Sequence, residues 1–321
     1  MKIIVTGGAG YLGSVLSQDI LSRGHELILA DSLVNGGDPI LGFYTNDNFT
    51  FHQVDIRDIP ESIFYGADAV VHLAAIVGDP ACAREPDLAT DVNLRSALSV
   101  FKLCQNLSVK RFVFASTCSN YGKVIDPTEL VTEDSDLGPV SLYAETKVAV
   151  ERALLDYGSG NDTSVTILRF ATLFGISPRM RFDLTVNQFT AEMLTNQTLD
   201  VYGEQFWRPY VHVNDAARAI IMTLTAPVDT IDCQVFNVGD TSQNYRKKDL
   251  VNMINDHIGN SANINFVHKQ EDPRDYKVSF EKIQRVLGFK ITRTVEDGIS
   301  EILDVVRQGV ITDWQHSRYC N

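Results

Sequence analysis

Ile3-Ile4-Val5-Thr6-Gly7-Gly8-Ala9-Gly10-Tyr11-Leu12-Gly13 is a β-branched run that ends in three glycines spaced three apart. An apolar-periodic segment follows, with Val15, Leu16, Ile20 and Leu21 on one face. Strand, glycine turn and helix in this order bring a pyrophosphate to a helix N-terminus, where free N–H groups and the helix dipole meet the anion. Gly7 permits the tight turn, Gly10 lets backbone approach phosphate, and Gly13 lets the helix lie close on the strand. The next strand, Glu26–Ala30, ends at Asp31, about 20 residues beyond the turn, where a carboxylate hydrogen-bonds the ribose hydroxyls. No arginine for a 2′-phosphate stands in Ser32-Leu33-Val34-Asn35, so the expected cofactor is NAD rather than NADP.

Outward from this turn, strand-like runs at Lys2–Thr6, Glu26–Ala30, Thr50–Val54, Ala69–Leu73, Arg111–Ser116 and Thr163–Arg169 alternate with helical patterns, notably Asp91–Asn106 and Leu142–Asp156. Such alternation predicts an α/β fold, a Rossmann-type doubly wound parallel sheet covered by helices, with ligands beyond the carboxyl ends of the strands. Residues 1–171 and 209–238 are expected to form the NAD-binding domain. Residues 172–208 and 239–321 are expected to form a smaller α/β substrate-binding lobe. In the second half, Tyr210–Val213 reads as a strand returning to the main sheet, with Asn214–Thr225 as its helix. Val235–Val238 is a further short strand, and Val186–Thr195, Lys247–Ile258 and Val295–Gln308 are helices.

The chain of 321 residues is 44% hydrophobic and 21% charged, enough for a sizeable core, and its net charge of −13 argues against nucleic-acid and anionic-membrane partners. No apolar run reaches the roughly 18–20 residues needed to span a bilayer. Met1-Lys2 leads straight into a strand, which is not a signal-peptide pattern. Cys82, Cys104, Cys118, Cys233 and Cys320 are scattered, with no CxxC pair, as expected of reduced thiols in a cytoplasmic protein. No metal-ligand spacing surrounds His72, which reads as a core histidine, and no metal is expected.

After the third strand, Asp55 can accept from an adenine amino group while Ile56 packs on the ring; the competing reading is a polar turn with a cap. Leu73, Ala74 and Ala75 are small or apolar where a cofactor must lie on the backbone. The chemistry enters with Ser116-Thr117-Cys118-Ser119 at the end of an apolar strand and Tyr143-Ala144-Glu145-Thr146-Lys147 on a helix. Tyr and Lys four apart share a helix face. A free phenol has a pKa near 10, too high for an efficient base, but an ammonium and a positive nicotinamide ring both favour the phenolate. Tyr143 can then take a proton from a sugar hydroxyl, with Thr117 on the same oxygen and Lys147 also holding the nicotinamide ribose.

These signatures resemble the extended short-chain dehydrogenase/reductase family of nucleotide-sugar epimerases, dehydratases and reductases. The matching stretches are Thr6–Gly13, Asp55–Asp58, His72–Ala75, Asn93, Ser116–Gly122, Tyr143–Lys147, Leu168–Gly175 and Arg208–Ala217. The resemblance implies Thr117, Tyr143 and Lys147 as the catalytic set. It implies cofactor contacts at Tyr11, Leu12, Asn93, Ser116 and Phe170 besides those above. It implies substrate contacts at Val77, Thr117, Cys118, Thr172, Asn187, Arg208 and Arg274, the two arginines clamping a diphosphate. Arg179 and Arg181 lie in a segment that could reach substrate.

Family sugar 4,6-dehydratases carry Asp and Glu after the catalytic Thr. Cys118 and Ser119 stand there in this chain, so that reaction is not expected. Thr172 replaces an Asn found in many family epimerases. The stretches 174–187 and 272–279 are similar to a sub-branch that includes a GDP-heptose 4-dehydrogenase. The expected activity is NAD-dependent oxidation or reduction at C4 of a GDP- or UDP-linked sugar, as a 4-epimerase or 4-dehydrogenase. A 4-keto reductase or a non-catalytic dinucleotide binder is the alternative, and the Tyr143–Lys147 pair argues against the latter. The family also implies a homodimer built on the helices Asp91–Asn106 and Leu142–Asp156. Leu98, Val150 and Leu154 are its outward apolar candidates, although core burial accounts for them equally.

Overall fold

The strands β1 (Lys2–Thr6), β2 (Glu26–Asp31), β3 (Phe49–Gln53), β4 (Ala69–His72), β5 (Arg111–Thr117), β6 (Ser164–Phe170) and β7 (Gln234–Val238) pair in the spatial order β7-β6-β5-β4-β1-β2-β3. The computed structural model from which they are taken describes residues 1–122, 124, 126, 129–268 and 274–321; Asp272 and Pro273 of the 272–279 stretch lie outside the described residues. Every pairing in this sheet is parallel. Strands buried on both faces read as continuous apolar runs. Ile3, Ile4, Val5, Val70, Val71, Phe112, Val113 and Phe114 are accordingly buried. The strand order reverses between β1 and β4, and this switch point opens the crevice that holds the ligand in such sheets.

Helices α1 (Tyr11–Ser22), α2 (Asp79–Arg84), α3 (Ala97–Asn106), α4 (Leu142–Asp156) and α5 (Val213–Thr225) cover the sheet and its crevice. One face packs Leu16 and Ile20 of α1 with Ala216 and Ile220 of α5. The other packs Val100 and Cys104 of α3 with Val150 and Leu154 of α4 over Phe112 and Phe114. Val150 and Leu154 are fully buried there, so they are core and not an outward dimer face; Leu98 is partly buried against the same cluster. A separate core joins Phe174, Val186, Met193, Tyr210, Leu250, Ile254, Ile299 and Ile302. Among the described residues, no helix is long and apolar enough to cross a membrane.

The strand expected at Tyr210–Val213 runs over Trp207–His212 and does not rejoin the main sheet. It pairs parallel with Thr172–Phe174 and antiparallel with Asn244–Arg246. The reason is that β7 already takes the free edge of β6. The chain leaves β6 through the single residue Ala171 and enters this smaller sheet at once.

Candidate functional site

A cleft of about 700 Å³ lies across the carboxyl ends of β1, β2, β4 and β5. At one end it is lined by Gly7, Gly10, Tyr11, Leu12 and Gly13, by Asp31, and by Asp55 and Ile56. Gly7 has φ +71°, and a Cβ there would sit 2.7 Å from the Ala74 nitrogen. A Cβ on Gly13 would sit 2.4 Å from the Gly7 carbonyl oxygen. Only glycine fits this approach of turn, helix and strand. The N-terminus of α1 faces the cleft with no acidic residue in its first turn, which leaves its free N–H groups for an anion.

The Asp31 carboxylate ties the turn from the side, accepting from Ala9 N at 3.0 Å and Leu33 N at 2.8 Å. Burial raises its pKa, and those two bonds oppose the rise. Asp55 combines the two readings offered for it. It lines the cleft, and it also caps the short turn that follows, accepting from Arg57 N at 2.9 Å. The Arg57 side chain clamps the same carboxylate at 3.0 and 2.7 Å, which holds the Asp55 pKa down. Arg57 also lines the cleft, with its guanidinium held on Asp55. These groups fit NAD.

Beyond the glycine turn, Thr117, Tyr143 and Lys147 line the cleft together with Leu73, Ala74, Ala75, Ser116 and Phe170. Lys147 is 2% exposed. Its Nζ donates to Ala115 O at 2.8 Å and lies 5.9 Å from the centre of the Tyr143 ring. Burial pulls its pKa down to about 8, with Glu151 and then Cys82 acting against the fall. Burial pushes the half-buried Tyr143 phenol well above its ordinary range; Cys82 and Asp79 add to the rise and Arg181 opposes it. In the protein alone, Lys147 is therefore not enough to make the phenol acidic. His72 is buried, bonds the Thr6 hydroxyl at 2.9 Å, and is pushed down to about 3 by burial and by Lys147. It stays neutral, as a core histidine.

Beneath this trio lies a polar network that the sequence did not announce. Glu151, one turn beyond Lys147 on the same face of α4, is 1% exposed. It accepts from Ser116 Oγ, from Asn120 Nδ2 at 2.8 Å, and from Arg169 Nη2 at 2.7 Å. Arg169 Nη1 donates to the Tyr121 hydroxyl at 3.1 Å, and that hydroxyl donates to Asn237 Oδ1 at 2.6 Å. Ser116 precedes Thr117, so the network fixes the end of β5 from below.

Val77, Cys118, Thr172 and Arg274 also line the cleft. Cys118 is 1% exposed, donates to Arg169 O at 3.3 Å, and burial raises its pKa, so it offers no acid or base. Arg274 pairs with Asp79 at 2.9 Å. Asn93, Asn187 and Arg208 do not line the cleft. Asn93 sits in the π-helical turn Asp91–Ser96 and braces the loop after β4, bonding Ile76 N at 2.8 Å and Ile76 O at 2.9 Å. Asn187 is fully buried and bonds Gly175 N at 3.0 Å, Arg181 O at 2.8 Å and the Tyr11 hydroxyl at 3.2 Å. Arg208 donates to Trp207 O at 2.7 Å and to Arg274 O. Each supports a loop that does line the cleft. Lining residues missed from sequence include Asp183, Tyr276 and Asn321, while Arg179 and Arg181, left open there, do line it.

The sequence profile of the NAD dependent epimerase/dehydratase family matches residues 3–239. Protein CapI of Staphylococcus aureus is 27% identical over 331 residues, covering 95% of this chain and 98% of that one. UDP-glucose 4-epimerase of Bacillus subtilis (strain 168) is 27% identical over 324 residues, covering 92% and 94%. The solved structure of UDP-glucuronic acid 4-epimerase from Bacillus cereus, in complex with UDP-glucuronic acid and NAD, is similar with a TM-score of 0.83 at 25% identity, covering 96% of this chain and 99% of that one. With a glycine turn, a ribose-side carboxylate and a Thr, Tyr and Lys trio in one crevice, and a profile match across most of its length, the chain belongs to the NAD dependent epimerase/dehydratase family of enzymes.

Proposed function

We propose that the protein oxidises C4 of a nucleoside-diphosphate sugar to a 4-keto intermediate, as a 4-epimerase or 4-dehydrogenase. The convergence of Thr117, Tyr143 and Lys147 beside Phe170 carries this reading, with the buried Cys118 thiol standing where a 4,6-dehydratase needs a carboxyl acid. Tyr143 Oη, as phenolate, takes the C4 hydroxyl proton, and Thr117 Oγ1 hydrogen-bonds the same oxygen. Lys147, fixed by Ala115 O, holds its charge beside the ring. Bound NAD would supply the hydride acceptor for C4 and a positive ring charge that favours the Tyr143 phenolate beyond what Lys147 does alone. Gly7, Gly10, Gly13 and Asp31 hold the cofactor, and Arg274 faces the diphosphate.

A UDP-linked sugar is favoured by the UDP-sugar enzymes named above; the resemblance of the 174–187 and 272–279 stretches favours a GDP-linked one. The NAD part comprises residues 1–171 and 209–238, the substrate lobe residues 172–208 and 239–321, in a cytoplasmic homodimer. Incubation with UDP-, GDP-, dTDP- and CDP-sugars, followed by absorbance at the NADH band and NMR of the products, tests the reading. Tyr143→Phe is expected to abolish turnover with NAD still bound, and full activity in that variant overturns the mechanism.

A further inference from the structure

Residues 313–321 have no part in the chemistry above, yet they cross the substrate end of the cleft. Phe182 packs edge-on against Tyr319 with ring centres 5.6 Å apart, and against Trp314 at 5.9 Å. Phe182 N donates to Tyr319 O at 2.9 Å, and Trp314 Nε1 to Thr195 Oγ1 at 3.1 Å. Arg179 Nη2 donates to Cys320 O at 2.9 Å, and Asn321 N to Asp183 Oδ2 at 3.3 Å. From the opposite wall, Arg84 Nη2 at the end of α2 donates to Asn321 O at 3.1 Å. Asn321 itself lines the cleft. A surface segment, here folded through the short 3₁₀ turn Ser317–Tyr319, gives up about 1–2 kcal/mol of backbone entropy per residue when fixed. Besides Thr195, the fixing contacts fall on the 179–183 loop and on α2, the two walls of the substrate end.

Arg179 shows what this fixing achieves. It is 4% exposed and lines the cleft, and its bonds go to peptide carbonyls, Cys320 O and, at 3.5 Å, Met180 O. Among the described residues no carboxylate pairs with it. Asp183 is taken bidentately by Arg181 at 2.9 and 2.6 Å. A guanidinium carries five N–H donors, and a buried cation without a counter-ion is costly. Burial, and then the neighbouring Arg181, lower the Arg179 pKa accordingly. The counter-charge lacking from this pocket is an oxyanion.

We propose that the 313–321 segment is a wall of the substrate site, whose Cys320 carbonyl aims the Arg179 guanidinium at an oxyanion of the bound nucleotide sugar. The inference rests on the nucleotide-sugar reading of the cleft. The oxyanion belongs to the diphosphate or to a carboxylate on the sugar, and the ligands below separate the two.

The test uses the NAD-loaded full chain carrying Tyr143→Phe, so that no ligand turns over. Calorimetric titration with UDP, GDP, UDP-glucose and UDP-glucuronate is repeated after truncation beyond Arg318, with Arg179→Ala, and with Gln315→Ala as a control on the same segment. Truncation and Arg179→Ala are each expected to weaken binding at least tenfold, Gln315→Ala less than twofold, and none of them the affinity for NAD. An equal loss for every ligand that binds assigns the oxyanion to the diphosphate. A loss confined to UDP-glucuronate assigns it to the sugar. Hydrogen exchange at the Tyr319–Asn321 amides is expected to quicken in the Arg179→Ala protein. Unchanged affinities in a truncated or Arg179→Ala protein that still binds NAD overturn the inference and leave the nucleotide-sugar reading standing. If the untruncated protein binds none of the four ligands, nor dTDP- or CDP-glucose, the nucleotide-sugar reading fails, and the inference with it.

Discussion

Glu151→Gln removes one charge from beneath the reacting trio and keeps the shape of the side chain. Arg169, 3% exposed, then keeps its guanidinium beside the Tyr121 hydroxyl and a neutral amide, with its ion-pair partner gone. Breaking a buried pair from one side costs about 3–5 kcal/mol. With a urea dependence of about 3 kcal/mol per molar, the unfolding midpoint falls by roughly 1–1.7 M. Fluorescence of Trp207 and Trp314, the two tryptophans of the chain, follows the transition. A second readout is the alkaline limb of kcat/KM. Glu151 holds the Lys147 pKa up against burial, so its loss is expected to move that limb to lower pH than in the wild type. Adding Arg169→Met to Glu151→Gln removes the unpaired cation and is expected to restore most of the stability, but not the pH limb. A midpoint shift under about 0.3 M, or an unmoved limb, refutes the reasoning.

Lys147→Met is expected to abolish activity yet raise resistance to urea at neutral pH. The fall in the Lys147 pKa from 10.5 to about 8 makes the unfolded chain bind more protons between those values, so this residue's contribution to stability rises with pH across that window, by about 3 kcal/mol. Parallel pH dependences of the urea midpoint in wild type and variant would rule this out. Gly13→Ala drives a Cβ to 2.4 Å from the Gly7 carbonyl oxygen and is expected to destabilise the protein by about 1–3 kcal/mol and to lower NAD affinity, measured by cofactor titration. Asn187→Ala strips the Asn187 partner from Gly175 N and Arg181 O and is expected to cost about 2 kcal/mol or more in thermal unfolding. It should also raise KM for the sugar, because the loop it braces carries Arg179 and Arg181.

What could be read from sequence was local. The glycine turn, the apolar runs of β1 to β6 and the Tyr143–Lys147 spacing each lie within a window that one strand or one helical turn defines. Asn93 and Asn187 were recognisable as polar residues in family motifs, but not as braces. Their partners lie 17 residues away at Ile76 and 176 away at Tyr11, and no periodicity encodes such pairs. Glu151 left a usable sign, since it extends the four-residue series from Tyr143 and Lys147. Its partner Arg169 sits on another strand. Val150 and Leu154 could be assigned to core or to interface only once Phe112 was seen beneath them. The Trp207–His212 strand went to the smaller sheet because an edge had already been filled by β7, a competition between distant segments. The tail contacts are tertiary throughout.

Ala171 is the shortest of the chain's passages between the two sheets. Phe170 is in register with Val238 and Thr117 in the large one, and Thr172 with Tyr210 in the small one. Ala171 N is itself tied to Val238 O at 3.1 Å. A link this short transmits rotation but leaves no slack for sliding. Any breathing of the two halves therefore pivots a few ångströms from the reacting trio and gapes widest at the far rim. Spin labels on that rim should separate and close during turnover, while labels flanking Phe170 keep a constant spacing.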